Sequence, residues 1–342
     1  MLLAHLYRWP DKMQPQEYHK AAPALRPGTS FRNQSSGDFE QQASLLSGWN
    51  QDYVQLSSGA FKGYVTELHV QGMHLFHEFT SQSLFQHGQL PESVIAIGVP
   101  LALQNAGIFC GAPSSTQSLH VFSGRNGFEF YSPTGLLMAG IALERQELLA
   151  YMGEAGEQQL SRVCRDSHLL RMPESQLTPL RELMTGAFDM LRSNPALIHQ
   201  PVAMQSLKHH VLQQVAAVLA GETSDAHATS AASKCWNMLG ESRQFVQQHY
   251  DSPISVADLC QHLDISRRSL QYSFQHYLHT NPVAYLRAER LNGVRRMLKT
   301  ANSVTEAAAH WGFWHFGHFS QEYKKMFGEL PSTTFKRLRS LN

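Results

Sequence analysis

Cysteine is scarce in this chain of 342 residues: Cys110, Cys164, Cys235 and Cys260 stand far apart and form no CxxC pair. That spacing excludes a disulfide framework and a thiolate zinc module, and it fits a reducing cytoplasm. Long apolar runs are missing too, so no segment reaches membrane-spanning length and no membrane partner is expected. The opening MLLAHLYRWP meets Arg8 and Pro10 before an apolar signal core can form, and the chain is expected to remain cytoplasmic. Catalytic signatures are also lacking. No GxSxG, phosphate-cradling glycine loop or HExxH occurs, so no catalytic residue is assigned and the chain is not expected to be an enzyme.

Net charge is small, +1, but it is divided unevenly. From Lys234 onward 14 Lys/Arg stand against 8 Asp/Glu, a net +6, whereas residues 1–233 hold 14 against 19, a net −5. A basic region joined to an acidic one points to a polyanion as the partner of the basic part. The length and the 42% apolar content predict two folded domains.

Residues 1–40, rich in Pro, Gln, Ser and Gly, read as a loosely ordered arm. Residues 41–220 are expected to form a β-rich sensor with helices. YVTELHV, VIAIGVPLAL, SLHVF, FEFYS and LLMAGIAL are short runs punctuated by turn residues, as in a barrel or sandwich. LRELMTGAFDML follows, with Leu180, Leu183, Met184, Ala187 and Leu191 at helical spacing, and then QSLKHHVLQQVAAVLA. These helices are expected in part to pack on the sensor and in part to supply a dimer seam. GETSDAHATSAASK, over residues 221–234, reads as a linker. Residues 235–342 are expected to be all-α, making the whole chain α+β.

The all-α part repeats a pattern twice. In a first unit, at about 256–278, Val256, Leu259 and Leu263 stand at i, i+3 and i+7 beside the small Ala257. Asp264 and Ile265 break the pattern, and Ser266 can cap a second helix whose inward face is Leu270, Phe274 and Leu278. Two short helices across so short a turn make a helix-turn-helix. Arg267, Arg268, Gln271 and Tyr272 are left facing outward, where such a motif meets the major groove.

The second unit, at about 304–327, opens at the cap Ser303 and turns at Gly312. Val304, Ala307, Ala308 and Trp311 point inward, as do Phe319, Tyr323 and Phe327. His315, Gly317, His318, Gln321, Lys324 and Lys325 make its outer face, while Phe316 fits either core or groove. Between the units, Asn281 and Pro282 open a helix expected to reach Lys299, ~27 Å at ~1.5 Å per residue. Its Arg287, Arg290, Arg295 and Arg296 are expected to add to the phosphate contacts. The spacing supplies both apolar faces of each unit from within this span, so residues 234–342 are expected to fold alone.

RLNGVRRML, followed by VTEAAAHWGFWHFGHFSQEYKKMFGELP, resembles the signature of the AraC/XylS family of bacterial regulators. The resemblance implies a DNA-binding transcription regulator, mostly of the activating kind, with RNA polymerase and a second copy of the chain as further partners. The family often places a basic residue where this chain has Gln321. WGFWHFGHF and QLSSGAFKGYVTEL (Gln55–Leu68) resemble the ethanolamine-utilisation branch of the family. That implies ethanolamine as effector with cobalamin beside it, although no DxHxxG cobalamin pattern occurs. Two alternatives stay open: an enzyme or repair protein fused to a DNA-binding domain of this type, and a DNA-binding protein without an effector.

For a small amine, Trp49, Tyr53, Glu67 and Phe79 are the candidate pocket residues, Glu67 answering the ammonium. The competing reading makes the aromatics barrel core and Glu67 a surface or cross-strand charge. Among 19 histidines, His69, His74, His77 and His87 do not make the HxH with a downstream carboxylate that a barrel metal site uses, and His209 and His210 point to different helix faces. No metal is expected.

Overall fold

The computed structural model describes residues 25, 28–221, 224–225, 230–249, 252 and 254–339. Its first part opens with β1 (Ser30–Ser36), α1 (Phe39–Leu45) and β2 (Asn50–Gln55). There follow β3 (Gly63–Val70), β4 (Met73–Thr80), β5 (Leu84–Gln89) and β6 (Val94–Ala102). Next come β7 (Gly107–Phe109), β8 (Ala112–Ser114), β9 (Ser118–Phe122), β10 (Phe128–Ser132) and β11 (Leu136–Glu144). The helices α2 (Arg145–Met152) and α3 (Glu154–Val163) precede β12 (His168–Arg171), and α4 (Glu174–Ser193) and α5 (Pro201–Ala220) precede β13 (Ser224–Asp225).

The strands form two antiparallel sheets, ordered β1-β3-β4-β11-β6-β9-β12-β13 and β2-β5-β10-β7-β8. Both are open among the described residues, so the expected β-rich architecture is a pair of sheets and not a closed barrel. The far edges end on β13, of two residues, and β8, of three, too short to carry a ladder on to a closing strand. Trp49, Val65, Phe76, Phe109, Phe122 and Phe130 fill the space between the sheets. The other face of the larger sheet, with Leu68, Leu75, Ile97 and Ile141, is covered by α4 and α5 through Leu180, Met184, Phe188 and Val211. The buried stripes of α4 and α5 thus pack on the sheet.

Two expectations need correction. Of the arm, residues 1–24, 26 and 27 lie outside the described residues, but Ser30–Ser36 is an ordered edge strand paired along its length with β3. SFRNQSS has one apolar residue, Phe31, so backbone hydrogen bonds and not apolar burial hold it, and composition gives no hint of that. The linker is likewise shorter than 221–234. Ser224–Asp225 pairs with β12, a helix has begun by Ser230, and residues 222–223 and 226–229 lie outside the described residues.

The second part is helical: α6 (Ser230–Gln248), α7 (Val256–His262), α8 (Arg267–Leu278), α9 (Pro282–Met297), α10 (Val304–His310), α11 (Phe316–Phe327) and α12 (Pro331–Arg339). It does not supply all of its own apolar contacts, contrary to expectation. Val54, Leu56, Phe85, Ile108 and Tyr131, from the smaller sheet and the loop after β2, share one core with Leu259, Leu270 and Phe274. Phe39, Tyr53 and Phe61 share another with Leu291, Trp311, Tyr323 and Phe327. The two parts are packed through apolar surface.

Candidate nucleic-acid interface and sensor interior

The helices α8, α9 and α10 each start where a side chain takes an orphan amide, whereas α11 begins at His315 without a side-chain cap. Ser266 accepts from the Ser269 amide at 3.1 Å, Ser303 from Glu306 at 3.0 Å and Asn281 from Ala284 at 2.9 Å. Such a cap contributes ~1 kcal/mol and fixes where the helix begins, which decides the side chains that lie outward on its first turns. Arg267, Arg268, Gln271 and Tyr272 on α8 are all exposed, as are His315, Gly317, His318, Gln321, Lys324 and Lys325 at the start of α11 or along it. The inward partners Leu270, Phe274, Phe319 and Tyr323 are buried. α9 has 16 residues, ending at Met297, which shortens the strut to ~24 Å.

The arginines of α9 are not a free basic face. Arg287 pairs with Glu322 at 2.9 Å, and Arg290 donates to the carbonyls of Trp311 and Gly312, clamping the turn of the second unit. Arg295 is buried between Asp38 and Glu329. Burial and nearby Arg243 lower the pKa of Arg296, which also lies near Glu289. The expectation that this row meets phosphate is corrected: helical spacing shows which residues leave the apolar stripe, not which neighbour then takes them. A cleft of ≈ 670 Å³ opens between one side of α11 and loops of the β-rich part, which meet at Met326. His318, Gln321 and Lys325 line one side, and Ser57, Ser58 and Thr134 the other.

Of the four candidate pocket residues, Trp49 and Glu67 lie between the sheets, and Tyr53 meets a different carboxylate. Trp49 packs edge-on against Phe76, Phe122 and Phe128, and its Nε1 has no hydrogen-bond partner among the described residues. Glu67 accepts from the Ser47 amide at 2.8 Å. Burial alone would raise its carboxyl pKa, but the His69 and His74 imidazoles and that amide outweigh it and hold the group well below the usual range. Tyr53 donates to Glu78 at 2.9 Å, and burial pushes the Glu78 pKa up to about 7. Phe79 is not with them. Register pairs Glu67 with Phe76, so alternation sends Phe79 through the opposite face, where it stacks on Tyr64 at 5.4 Å.

Residues 259–337 match the family described as "Helix-turn-helix domain". The "XylDLEGF operon transcriptional activator 1" of Pseudomonas putida is 38% identical over 98 residues, 28% of this chain and 30% of that protein. The "Probable thc operon regulatory protein" of Rhodococcus erythropolis is 39% identical over 92 residues, 26% of this chain and 28% of that one. The C-terminal domain is a helix-turn-helix domain of the AraC/XylS type. The chain thus spans less than a third of the length of these two relatives. A solved structure described as "a probable AraC family transcriptional regulator" from Rhodopseudomonas palustris CGA009 is 30% identical, covering 30% of this chain and 97% of that one, with a TM-score of 0.28.

Within the AraC/XylS-type domain, the outward reading missed Trp314, which is 65% exposed just before α11. Phe316, ambiguous by spacing, is 41% exposed and faces away from the core. Their apolar faces could contact thymine methyls. In the β-rich part the histidines were missed as a group, for His69 and His74 stand directly opposite each other with Glu67 alongside. Glu67 and His69 at i and i+2, then a two-residue turn to His74, is the sequence signal that could have found them.

Proposed function

We propose that this protein is a sequence-specific, DNA-binding transcription activator whose β-rich domain answers a small metabolite. The carrying observation is the set of exposed polar and basic side chains along α8 and α11, presented on either side of one connecting helix, with α8 and that helix each capped by a side chain at its start. Arg268 and Gln271 have the donors and acceptors for base edges, and Lys324 and Lys325 the charge for phosphate. RNA polymerase and a second copy of the chain are the expected protein partners. Footprinting on DNA upstream of the neighbouring operon tests the reading. Protection of two adjacent major-groove faces on one side of the duplex is expected, and uniform coverage without sequence preference would overturn it.

For the effector, ethanolamine is the first candidate. Glu67 supplies a carboxylate, and Trp49 an aromatic face and a buried unpartnered N–H donor. Four non-hydrogen atoms at a best case of ~1.5 kcal/mol each give only ~6 kcal/mol, or tens of micromolar affinity. A larger co-effector such as cobalamin would add the contacts that a small amine lacks. Calorimetry with ethanolamine, cobalamin and both together tests this, and no heat from folded protein removes the effector while leaving the regulator. The alternative of a repair enzyme needs a reactive thiolate, whereas burial pushes the Cys164 and Cys235 thiols up to about 12.

A further inference from the structure

The hairpin of β3 and β4 turns at Gln71 and Gly72, the latter at φ +73°. His69 and His74 are direct cross-strand partners on the face that looks between the sheets, and Glu67 lies on that face two residues before His69. The two imidazoles are stacked, centroids 4.1 Å apart and 10° from parallel. Each presents Nε2 to the same oxygen, Glu67 Oε1, from 3.2 Å for His74 and 3.6 Å for His69. One donor atom from each residue lies within 4.8 Å of the other two, and all three residues are buried.

Hydrogen bonding accounts for only part of this arrangement, since His74 at 3.2 Å is within hydrogen-bond distance of Oε1 but His69 at 3.6 Å is not. Coordination accounts for it better. Around an ion held at ~2.0–2.1 Å by nitrogen and oxygen, tetrahedral donors stand about 3.3 Å apart. The two contacts, 3.2 and 3.6 Å, straddle that edge length, and because the rings are stacked nearly parallel, an ion would be taken up with one imidazole turning out of the stack to bring both lone pairs to a common point. The carboxylate is already held from behind, with the Ser47 amide on Oε1 at 2.8 Å and the Ser47 hydroxyl on Oε2 at 3.3 Å, the outer-shell support that ligating carboxylates use.

We propose that Glu67, His69 and His74 bind one divalent transition-metal ion, with Zn²⁺ the ion their nitrogen and oxygen donors suit. Three protein ligands leave one position for water or for an oxygen or nitrogen donor of a small molecule. The inference does not depend on the DNA-binding role.

The test uses the full-length protein, stripped with a chelator, titrated with Zn²⁺ and dialysed, with metal counted by mass spectrometry. The variants His69→Leu and His74→Val keep the interior apolar, and His77→Gln serves as a control outside the triad. Wild type and the control should retain one equivalent of Zn²⁺, while each triad variant weakens binding by roughly 100-fold or more. Because a variant could fold badly, Co²⁺ bound to wild type gives a second measurement, with intense visible bands expected of a tetrahedral site. No retained metal in wild type, equal retention in folded triad variants, or only the weak bands of octahedral Co²⁺ overturns the proposal.

Discussion

Arg295 Nη2 lies 2.5 Å from Oδ2 of Asp38, joining the last turn of α9 to the residue that caps α1, 257 positions away. Arg337 reaches the same oxygen at 2.8 Å, and Glu329 bridges the two arginines at 3.2 and 2.7 Å. The Arg295 guanidinium is 5.0 Å from the ring centres of both Phe39 and Phe327. Nearby, the Gln55 side chain donates to the Met326 carbonyl at 2.7 Å, and Asn292 donates back to the Gln55 carbonyl at 2.6 Å. A charge network and paired backbone contacts therefore hold the AraC/XylS-type domain against the β-rich domain.

Replacing Arg295 with Met keeps the apolar stem but strands two carboxylates, and removing one member of a buried pair costs ~3–5 kcal/mol. Arg337 remains to offset part of this, so a loss of about 3 kcal/mol is expected in urea denaturation. Burial would raise the Asp38 pKa, but Arg295 and the backbone amides of Gln41 and Glu40 outweigh it and lower it. The resulting stability is present above the unperturbed 3.8 and lost as pH falls through the lower folded value. Acid sensitivity in that window should be weaker in the variant. A loss below about 0.5 kcal/mol, the range of an ordinary surface change, would count against a structural role for the pair.

Base readout and anchoring should separate by mutation. Gln271→Ala should weaken the cognate site by ~1–3 kcal/mol and relax preference at one base position. Lys324→Ala should weaken all sequences alike and reduce the salt slope by about 1. Binding to a randomised site library at several salt concentrations distinguishes them, and identical profiles would refute the assignment of the helix faces.

The excised fragment 234–342 should be markedly less stable than the intact chain. Cutting it free exposes the parts of Leu259, Leu270, Tyr323 and Phe327 that now meet the smaller sheet, α1 and the loops beside them. Dye binding to exposed apolar surface and a lowered melting temperature are the expected signs. A fragment melting with the full chain would show that the shared cores contribute nothing.

The helix-turn-helix units were legible because their information is local. Ser266, Ser303 and Asn281 cap helices a few residues away, and Leu270 and Phe274 follow from a period of 3.6. The β-rich interior was not, because strand order joins β4 to β11 and β6 to β9 over gaps that carry no periodic signal. Phe79 shows the difference: alternation alone separates it from Phe76 and Glu78, but only the register with β3 tells which of the two faces Glu67 shares. Arg295 shows it again, since its place on the polar side of α9 is readable and its partner Asp38 is not.

Glu78 makes the last prediction. It is buried between the sheets, where Tyr53 donates to both of its oxygens at 2.9 and 3.0 Å and Gln42 donates at 3.1 Å. These hydrogen bonds favour the carboxylate, but burial wins and raises its pKa from 4.5 to about 7. A group raised in this way binds a proton more tightly folded than unfolded, so its contribution to stability is full below about 4.5 and is lost as pH rises through about 7. The whole swing is on the order of 3 kcal/mol. Glu78→Gln has no proton to lose, whereas His77, His87 and His120, all with lowered pKa values, titrate alike in both proteins, so between pH 5 and pH 8 the wild type should lose stability relative to the variant. Thermal melting across that range, with both proteins in matched buffers, gives the comparison, and parallel curves would show that Glu78 stays ionised in the folded protein.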